Sequence, residues 1–357
     1  MSRFFSGKFD KLVAYTPGEQ PRDMVYLKLN TNESPYEPAP GVMEAIQNAR
    51  SLRLYSDPEC MELRKKIAEI YNVTPGQVLV NNGSDEGLLF AFQAFCDQSC
   101  GAAFCDITYG FYPVFANYTQ VPYTEIPLKE DFTINTEEFF GLGKTIFIAN
   151  PNAPTGIALS PSEIEEILKA NPDNVVVIDE AYVDFGCESV IPLVDKYPNL
   201  LVTRTFSKSR SLAGARLGFC IGSEELIKDL NTIRYSTNPY NVNSLTMAAG
   251  LACLENDSYN MENCREIAST REWITERLEG IGFEVLPSKA NFIFARHVMI
   301  PGNILYEGLK YNGVLVRYFN KPRISDYVRI TIGTREQMKR LEEEVVQILC
   351  QRGGALY

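Results

Sequence analysis

The chain has 357 residues, 45% hydrophobic and 22% charged, which is ordinary globular composition and length for one large domain plus a smaller one. Its net charge of −11 argues against a nucleic-acid partner, so any anion site must be built from a few placed arginines. No apolar run approaches the roughly 18 residues of a membrane span, and residues 1–8 lack a signal-like apolar core, so a soluble cytoplasmic protein without a membrane partner is expected.

Residues 1–40 hold Tyr15-Thr16-Pro17-Gly18, a turn, and then Leu29-Asn30-Thr31-Asn32-Glu33-Ser34-Pro35. The prolines and glycine there predict an extended arm rather than a domain. Residues 41–50 and 62–71 read as helices, with a turn at 54–58 between them. Short apolar runs follow at 78–80, 102–105, 145–149, 175–178, 200–202 and 217–221, with helical patterns between most of them. A helix is expected over 84–95. Another follows Ser160-Pro161-Ser162-Glu163, a capping box with proline at the first helical position.

Continuous β-branched runs alternating with helices imply an α/β fold whose mostly parallel sheet is covered on both faces. Ligands of such sheets bind beyond the C-terminal strand ends, and most of the runs end in polar clusters. Beyond residue 245 the texture changes. Helices are expected over 244–255 and 258–278, strands at 283–286, 292–295, 314–316 and 327–332, and a last helix capped by Thr334-Arg335-Glu336-Gln337. The expected division is an arm over 1–40 that packs with the small domain, a large domain over 41–245, and a small α+β domain over 246–357.

Nine cysteines, none in a CxxC pair and odd in number, read as buried free thiols. A single histidine, His297, excludes a clustered-histidine zinc site within one chain, and no metal is expected. It ends an expected strand with no nucleophile motif elsewhere, so a structural role is expected. Proton transfer then falls to lysine, carboxylate or tyrosine.

The stretch that organises the chain is 203–218. Lys208 follows an apolar run directly, hydroxyls flank it, glycines follow, and Arg216 stands eight positions later. Such a lysine can form a Schiff base with a carbonyl cofactor; taken alone, the stretch reads equally well as a surface loop with two cations. The other strand ends break the tie, because they supply the groups that pyridoxal phosphate requires. Asp179 can face the pyridine nitrogen. Asn152 and Tyr182 can reach the ring oxygen, the alternatives being an Asx turn and a core aromatic. The amides of Ser84 and Asp85 can meet the phosphate at a helix N-terminus, unless these residues simply cap it. Ser207 and Arg216 add a hydroxyl and a cation. Tyr109 can stack on the ring or pack in the core.

These residues carry a family resemblance. Asn82-Gly83-Ser84-Asp85-Glu86, Thr108-Tyr109-Gly110, Asn150-Pro151-Asn152-Ala153-Pro154-Thr155-Gly156, Asp179-Glu180-Ala181-Tyr182, residues 205–218 and Val328-Arg329-Ile330-Thr331-Ile332-Gly333 occur in the order seen in aminotransferases of the type I pyridoxal-phosphate fold. One departure is Ala153, where the family usually has asparagine. Within that family the short length, Tyr15-Thr16-Pro17-Gly18, the arm motif and Pro239-Tyr240-Asn241-Val242-Asn243 most resemble the histidinol-phosphate aminotransferases. The resemblance implies exchange of an amino group between L-histidinol phosphate and 2-oxoglutarate, or glutamate in the reverse direction. It also implies a homodimer in which Tyr55 reaches the neighbouring subunit's cofactor phosphate; Ser56 replaces the usual proline after that tyrosine. Arg329 would bind the substrate's carboxylate or phosphate and Tyr15 would shape its pocket. Arg317 is a candidate second anion ligand, or a surface ion pair. An aromatic amino-acid aminotransferase and a threonine-phosphate-type decarboxylase share many of these motifs and stand as alternatives.

Overall fold

Apolar runs too long to alternate in and out of a core become strands buried on both faces, and the sheet is built from them. The structure, a computed structural model, describes residues 2–10, 12–49 and 52–351. In chain order the first elements are β1 (Leu27–Lys28), α1 (Val42–Asn48), α2 (Met61–Tyr71), β2 (Val78–Asn81), α3 (Ser84–Phe95) and β3 (Ala102–Cys105). Then come α4 (Tyr112–Thr119), β4 (Tyr123–Ile126), β5 (Thr145–Ala149), α5 (Pro161–Ala170), β6 (Val176–Asp179), β7 (Leu200–Thr205) and β8 (Gly218–Gly222). Helices α6 (Glu224–Thr237), α7 (Ser244–Glu255) and α8 (Asp257–Glu279) follow. The chain closes with β9 (Phe283–Val285), β10 (Phe292–His297), α9 (Gly302–Tyr311), β11 (Val314–Leu315), β12 (Arg317–Tyr318), β13 (Val328–Thr331) and α10 (Arg335–Gln351).

Seven strands form one sheet in the order β2-β8-β7-β6-β5-β3-β4. Only β8 runs against the rest, antiparallel to both β2 and β7. The C-terminal ends of β2, β3, β5, β6 and β7 therefore share one edge of the sheet. The start of β8 joins them, which carries Arg216 to that edge from the opposite chain direction. Gly218, at that start, permits the meeting: a Cβ there would lie 2.5 Å from the amide nitrogen of Ser84 and 2.9 Å from the carbonyl of Arg204. Strands β3, β5, β6, β7 and β8 are buried at every position. Each large apolar side chain so buried contributes about 1.5–3 kcal/mol.

Several elements escape a sequence reading. The edge strand β4 exposes three of its four residues, so it lacks the apolar signal of its neighbours. Helices α4, α6 and α9 also form; α6 is capped by the Ser223 hydroxyl, which accepts from the amide of Leu226 at 3.4 Å. The strand expected over 314–316 forms over 314–315. This strand, β11, pairs in parallel with β1, and β12, a short strand just beyond the expected one, joins β13, β10 and β9 in an antiparallel sheet. The arm is thereby sewn to the end of the chain, and the amide of Thr331 also donates to the carbonyl of Leu29 at 2.9 Å. Both expected capping boxes form, at Ser160/Glu163 and Thr334/Gln337. Six of the nine cysteines are buried as free thiols. His297 packs edge-on to Phe283 and bonds the carbonyl of Ile281 through Nε2 at 3.1 Å.

Behind the strand ends lies a cluster of charges that the sequence does not announce. Arg204 and Arg210 are almost wholly buried. Arg204 donates to Glu180 Oε2 at 2.9 Å and to Asp184 Oδ1 at 2.5 Å. Arg210 pairs with Asp184 Oδ2 at 3.3 Å and with Asp257 Oδ1 at 3.0 Å, and both guanidiniums donate to the hydroxyl of Tyr71. Burial pushes the Asp184 carboxyl up, but Arg204, Arg210 and the Ser209 hydroxyl outweigh it and hold it at about 2. Removing one partner of a buried pair strands the other, at a cost of about 3–5 kcal/mol. Asp184→Asn therefore lowers the unfolding free energy by about that amount at pH 7, read from urea midpoints. A depressed folded pKa stabilises above the unfolded value, so the wild-type advantage persists above about pH 4 and vanishes as the pH falls through 2.

Candidate active site

The strand ends and the arm enclose a cavity of about 340 Å³. Its wall includes Lys208, Asp179, Tyr182, Ser84, Asp85, Tyr109, Ser207, Arg216, Arg317, Arg329 and Tyr15. Two residues expected from the sequence are not part of it. Asn152 is buried just behind: its amide donates to the carbonyl of Ile107 at 2.9 Å and to Thr155 Oγ1 at 3.1 Å, and its oxygen accepts from Thr108 Oγ1 at 2.7 Å. Tyr55 is 82% exposed and stacks on Tyr240, with ring centroids 4.4 Å apart.

At one end of the cavity is the N-terminus of α3. Its cap residue is Gly83, at φ 79°, and no side chain caps it, so Ser84 and Asp85 are the first residues of the helix rather than its cap. The positive φ of Gly83 is what demands glycine; a Cβ there would also lie 2.6 Å from Arg216 Nη2, which would have to move aside. Arg216 donates to Ser207 Oγ and to Asp85 Oδ2, both at 3.3 Å, and Tyr109 donates its hydroxyl to Asp85 Oδ1 at 2.7 Å. Open helix amides, a hydroxyl and a guanidinium make this end suited to a phosphate.

Asp179 ends β6 and is 5% exposed. Its Oδ1 accepts from Thr203 Oγ1 and the amide of Ala181, both at 3.2 Å, and its Oδ2 accepts from Tyr112 at 3.4 Å. Burial, then the charge of Asp85, pushes its carboxyl up to about 7 despite these donors. Such a carboxylate calls for a cation against it. Lys208 Nζ donates to the carbonyl of Thr31 at 3.0 Å. Burial and the nearby Arg329 push its ammonium down to about 8, against Glu33 and Asp85. A lysine so poised is largely a neutral amine slightly above pH 8, which suits both carbonyl attack and proton transfer.

The opposite end is cationic. Arg317 of β12 and Arg329 of β13 occupy facing positions in the antiparallel register. Arg317 donates to the carbonyls of Thr16 and Pro17, both at 3.1 Å, and Arg329 Nη2 donates to the carbonyl of Asn30 at 3.0 Å. Among the described residues neither arginine forms an ion pair, and Arg329 Nε has no hydrogen-bond partner. Tyr15 stacks on Phe111 at 4.1 Å between centroids and forms an aromatic wall beside Tyr109.

The family sequence model of class I and II aminotransferases matches residues 25–345. The chain belongs to the class I and II aminotransferases. A histidinol-phosphate aminotransferase of Brachyspira hyodysenteriae is 47% identical over 352 residues, 98% of this chain and 99% of that protein. One from Acinetobacter baumannii is 48% identical over 350 residues, 97% of each. The solved structure of the Sinorhizobium meliloti histidinol-phosphate aminotransferase in complex with pyridoxal-5'-phosphate matches with a TM-score of 0.88 at 21% identity, covering 99% of both chains. That of Thermus thermophilus aspartate aminotransferase with maleate matches at 0.81 and 19%, covering 98% and 100%. At such identities these two structures establish the type I aminotransferase fold alone.

In this aminotransferase the sequence reading missed the groups that hold the Asp179 carboxylate. Tyr112 is wholly buried, as a core aromatic would be, and Thr203 is a buried strand residue. Their only signal is position, one helix start and one strand neighbour away from Asp179. A carboxyl raised from about 4 to about 7 by folding binds its proton more tightly in the folded chain, so it makes stability fall as pH rises across that window. Cofactor-free Asp179→Asn protein should lack this fall, and should exceed cofactor-free wild type at pH 8 by a few kcal/mol (order of magnitude) in urea unfolding.

Proposed function

We propose that the chain transfers an amino group between L-histidinol phosphate and 2-oxoglutarate with pyridoxal phosphate as cofactor. The observation that carries the reading is the polarity of one cavity: a lysine with a depressed pKa in its wall, an uncapped helix N-terminus at one end, and two arginines without carboxylate partners at the other. A dianionic substrate fits the arginine end. The relatives of 47% and 48% identity, which span nearly the whole chain, are named for that substrate.

The residues fit the cofactor. Asp179 is a buried carboxylate short of a cation, which a protonated pyridine nitrogen supplies. The α3 amides of Ser84 and Asp85, with Ser207 and Arg216, suit its phosphate. When bound, pyridoxal phosphate supplies an electron-accepting ring conjugated to the carbon that carries the amino group. Lys208 would hold that carbon, and its free amine would take the proton from the substrate Cα. Asp179 keeps a proton on the ring nitrogen. Tyr182 donates to the ring oxygen; Asn152, its amide committed elsewhere, steadies the loop behind. Tyr109 covers the ring, and Tyr15 narrows the substrate side. Arg329 and Arg317 orient the substrate's phosphate or carboxylate bidentately.

Exposure of Leu52, Leu54 and Tyr55 supports a homodimer in which Tyr55 reaches the neighbouring subunit's cofactor phosphate. Among the described residues no helix is long and apolar enough to cross a membrane, in keeping with a cytoplasmic enzyme. The arm and the later strands form one unit beside the large sheet. Because α7 packs in the core cluster of α1 and α2, we place the large unit's end near residue 256 rather than 245.

Holoenzyme should show a visible absorption band that Lys208→Ala abolishes together with transamination; an unchanged band removes Lys208 from the reaction. Histidinol phosphate should be turned over with 2-oxoglutarate far faster than phenylalanine, and threonine phosphate should not be decarboxylated. Preference for phenylalanine would favour the aromatic reading, to which the Tyr15–Phe111 wall lends itself. Arg329→Gln should lower kcat/KM by about 10²–10³-fold, the loss of about 3–4 kcal/mol of charge-assisted bonding, with the band retained.

A further inference from the structure

The arm residue Asn32 is 1% exposed, and its backbone is left-handed at φ 58°, a conformation asparagine tolerates better than most residues. Its hydrogen bonds form a closed circuit. The amide of Asn32 donates to Thr331 Oγ1 at 3.0 Å, and Thr331 Oγ1 donates back to Asn32 Oδ1 at 3.0 Å. The Asn32 carbonyl accepts from Asn291 Nδ2 at 3.0 Å. That leaves Asn32 Nδ2, which donates to the hydroxyl oxygen of Tyr182 at 3.0 Å. Turning the amide over would set two N–H groups against one Thr331 hydroxyl. It would also leave that hydroxyl's proton without an acceptor at a buried site.

The circuit has a consequence for Tyr182. Its oxygen accepts a hydrogen bond from Asn32 Nδ2, so its own proton must point elsewhere, and among the described residues no group accepts it. Tyr182 lines the cavity and packs edge-on against Phe292, which fixes the ring. We propose that Asn32, locked by Thr331, is a positioning residue that aims the Tyr182 hydroxyl proton into the cavity, toward the ring oxygen of the bound cofactor. This rests on the cofactor reading above. A donor aimed at that oxygen stabilises its anion, and so favours loss of the proton shared between the ring oxygen and the lysine-bound nitrogen. Asn32 acts only through Tyr182.

The test is the pH midpoint of the visible band in holoenzyme. Tyr182→Phe should raise it by about one unit, the worth of one hydrogen bond to a charged acceptor. Asn32→Gly keeps the left-handed backbone without strain or added charge; it should raise the midpoint by a smaller amount in the same direction. In a Tyr182→Phe background Asn32→Gly should add nothing, because the two act in series. Thr331→Val, which unlocks the amide, should also raise the midpoint, and it decides the matter if Asn32→Gly holds no cofactor. An unmoved midpoint in Asn32→Gly, or one that moves equally in the Tyr182→Phe background, overturns the proposal; so does an unmoved midpoint in Tyr182→Phe. Absence of any band in the wild type would instead sink the cofactor reading itself.

Discussion

Charge taken into a protein interior must be paired, and this fold depends on where that pairing is made and where it is withheld. Behind the sheet edge, Arg204 and Arg210 are matched by Glu180, Asp184 and Asp257. These residues are sequence neighbours of the groups that face the cavity: Glu180 follows Asp179, and Ser209 and Arg210 follow Lys208. The ion cluster thus ties the end of β6 to the end of β7 on the side away from the cavity. In front of the edge, Lys208, Asp179, Arg317 and Arg329 lack matching charges. The backbone holds Lys208 and Asp179 in that condition because the network behind anchors the residues that follow each of them.

The arm completes the arrangement by filling donors without neutralising them. Carbonyls of Thr16, Pro17, Asn30 and Thr31 accept from Arg317, Arg329 and Lys208. A carbonyl satisfies a hydrogen-bond donor but leaves its charge in place. The cavity therefore keeps its attraction for anions in a chain whose net charge is −11. Substrate oxygens can exchange for these carbonyls one by one, so no buried donor need be stripped bare on binding.

Much of this was legible in the sequence because it rests on runs and strand ends. Buried β-branched runs fixed the sheet, and Lys208, Asp179 and Arg216 stand where such runs begin or end. The less legible parts depend on pairings between distant positions. Arg204 reads as an interruption of an apolar strand until Glu180 and Asp184 are seen beside it. The strand β4 carries no buried pattern, since an edge strand exposes its residues. Asn152 has a family motif but spends its amide on Ile107 and Thr155, a commitment that spacing cannot reveal. Asn32 stood in a recognisable motif without a role, because its partner Thr331 lies 299 positions away.

The parallel pairing of β1 with β11 bears on how the molecule comes into being. Leu27 is made early, but its partner Val314 and the later Thr331 emerge only after the whole large sheet. The strands of the seven-stranded sheet all lie before residue 223 and can pair first, with α7 still to cover them. Until the last strands arrive, the arm has no ladder to join, Lys208 has no Thr31 carbonyl held before it, and the anion-binding end does not exist. Closure of so long a loop is costly in entropy and slow compared with local pairings. A ribosome-bound chain thus carries the lysine and the aspartate well before it can grip a substrate.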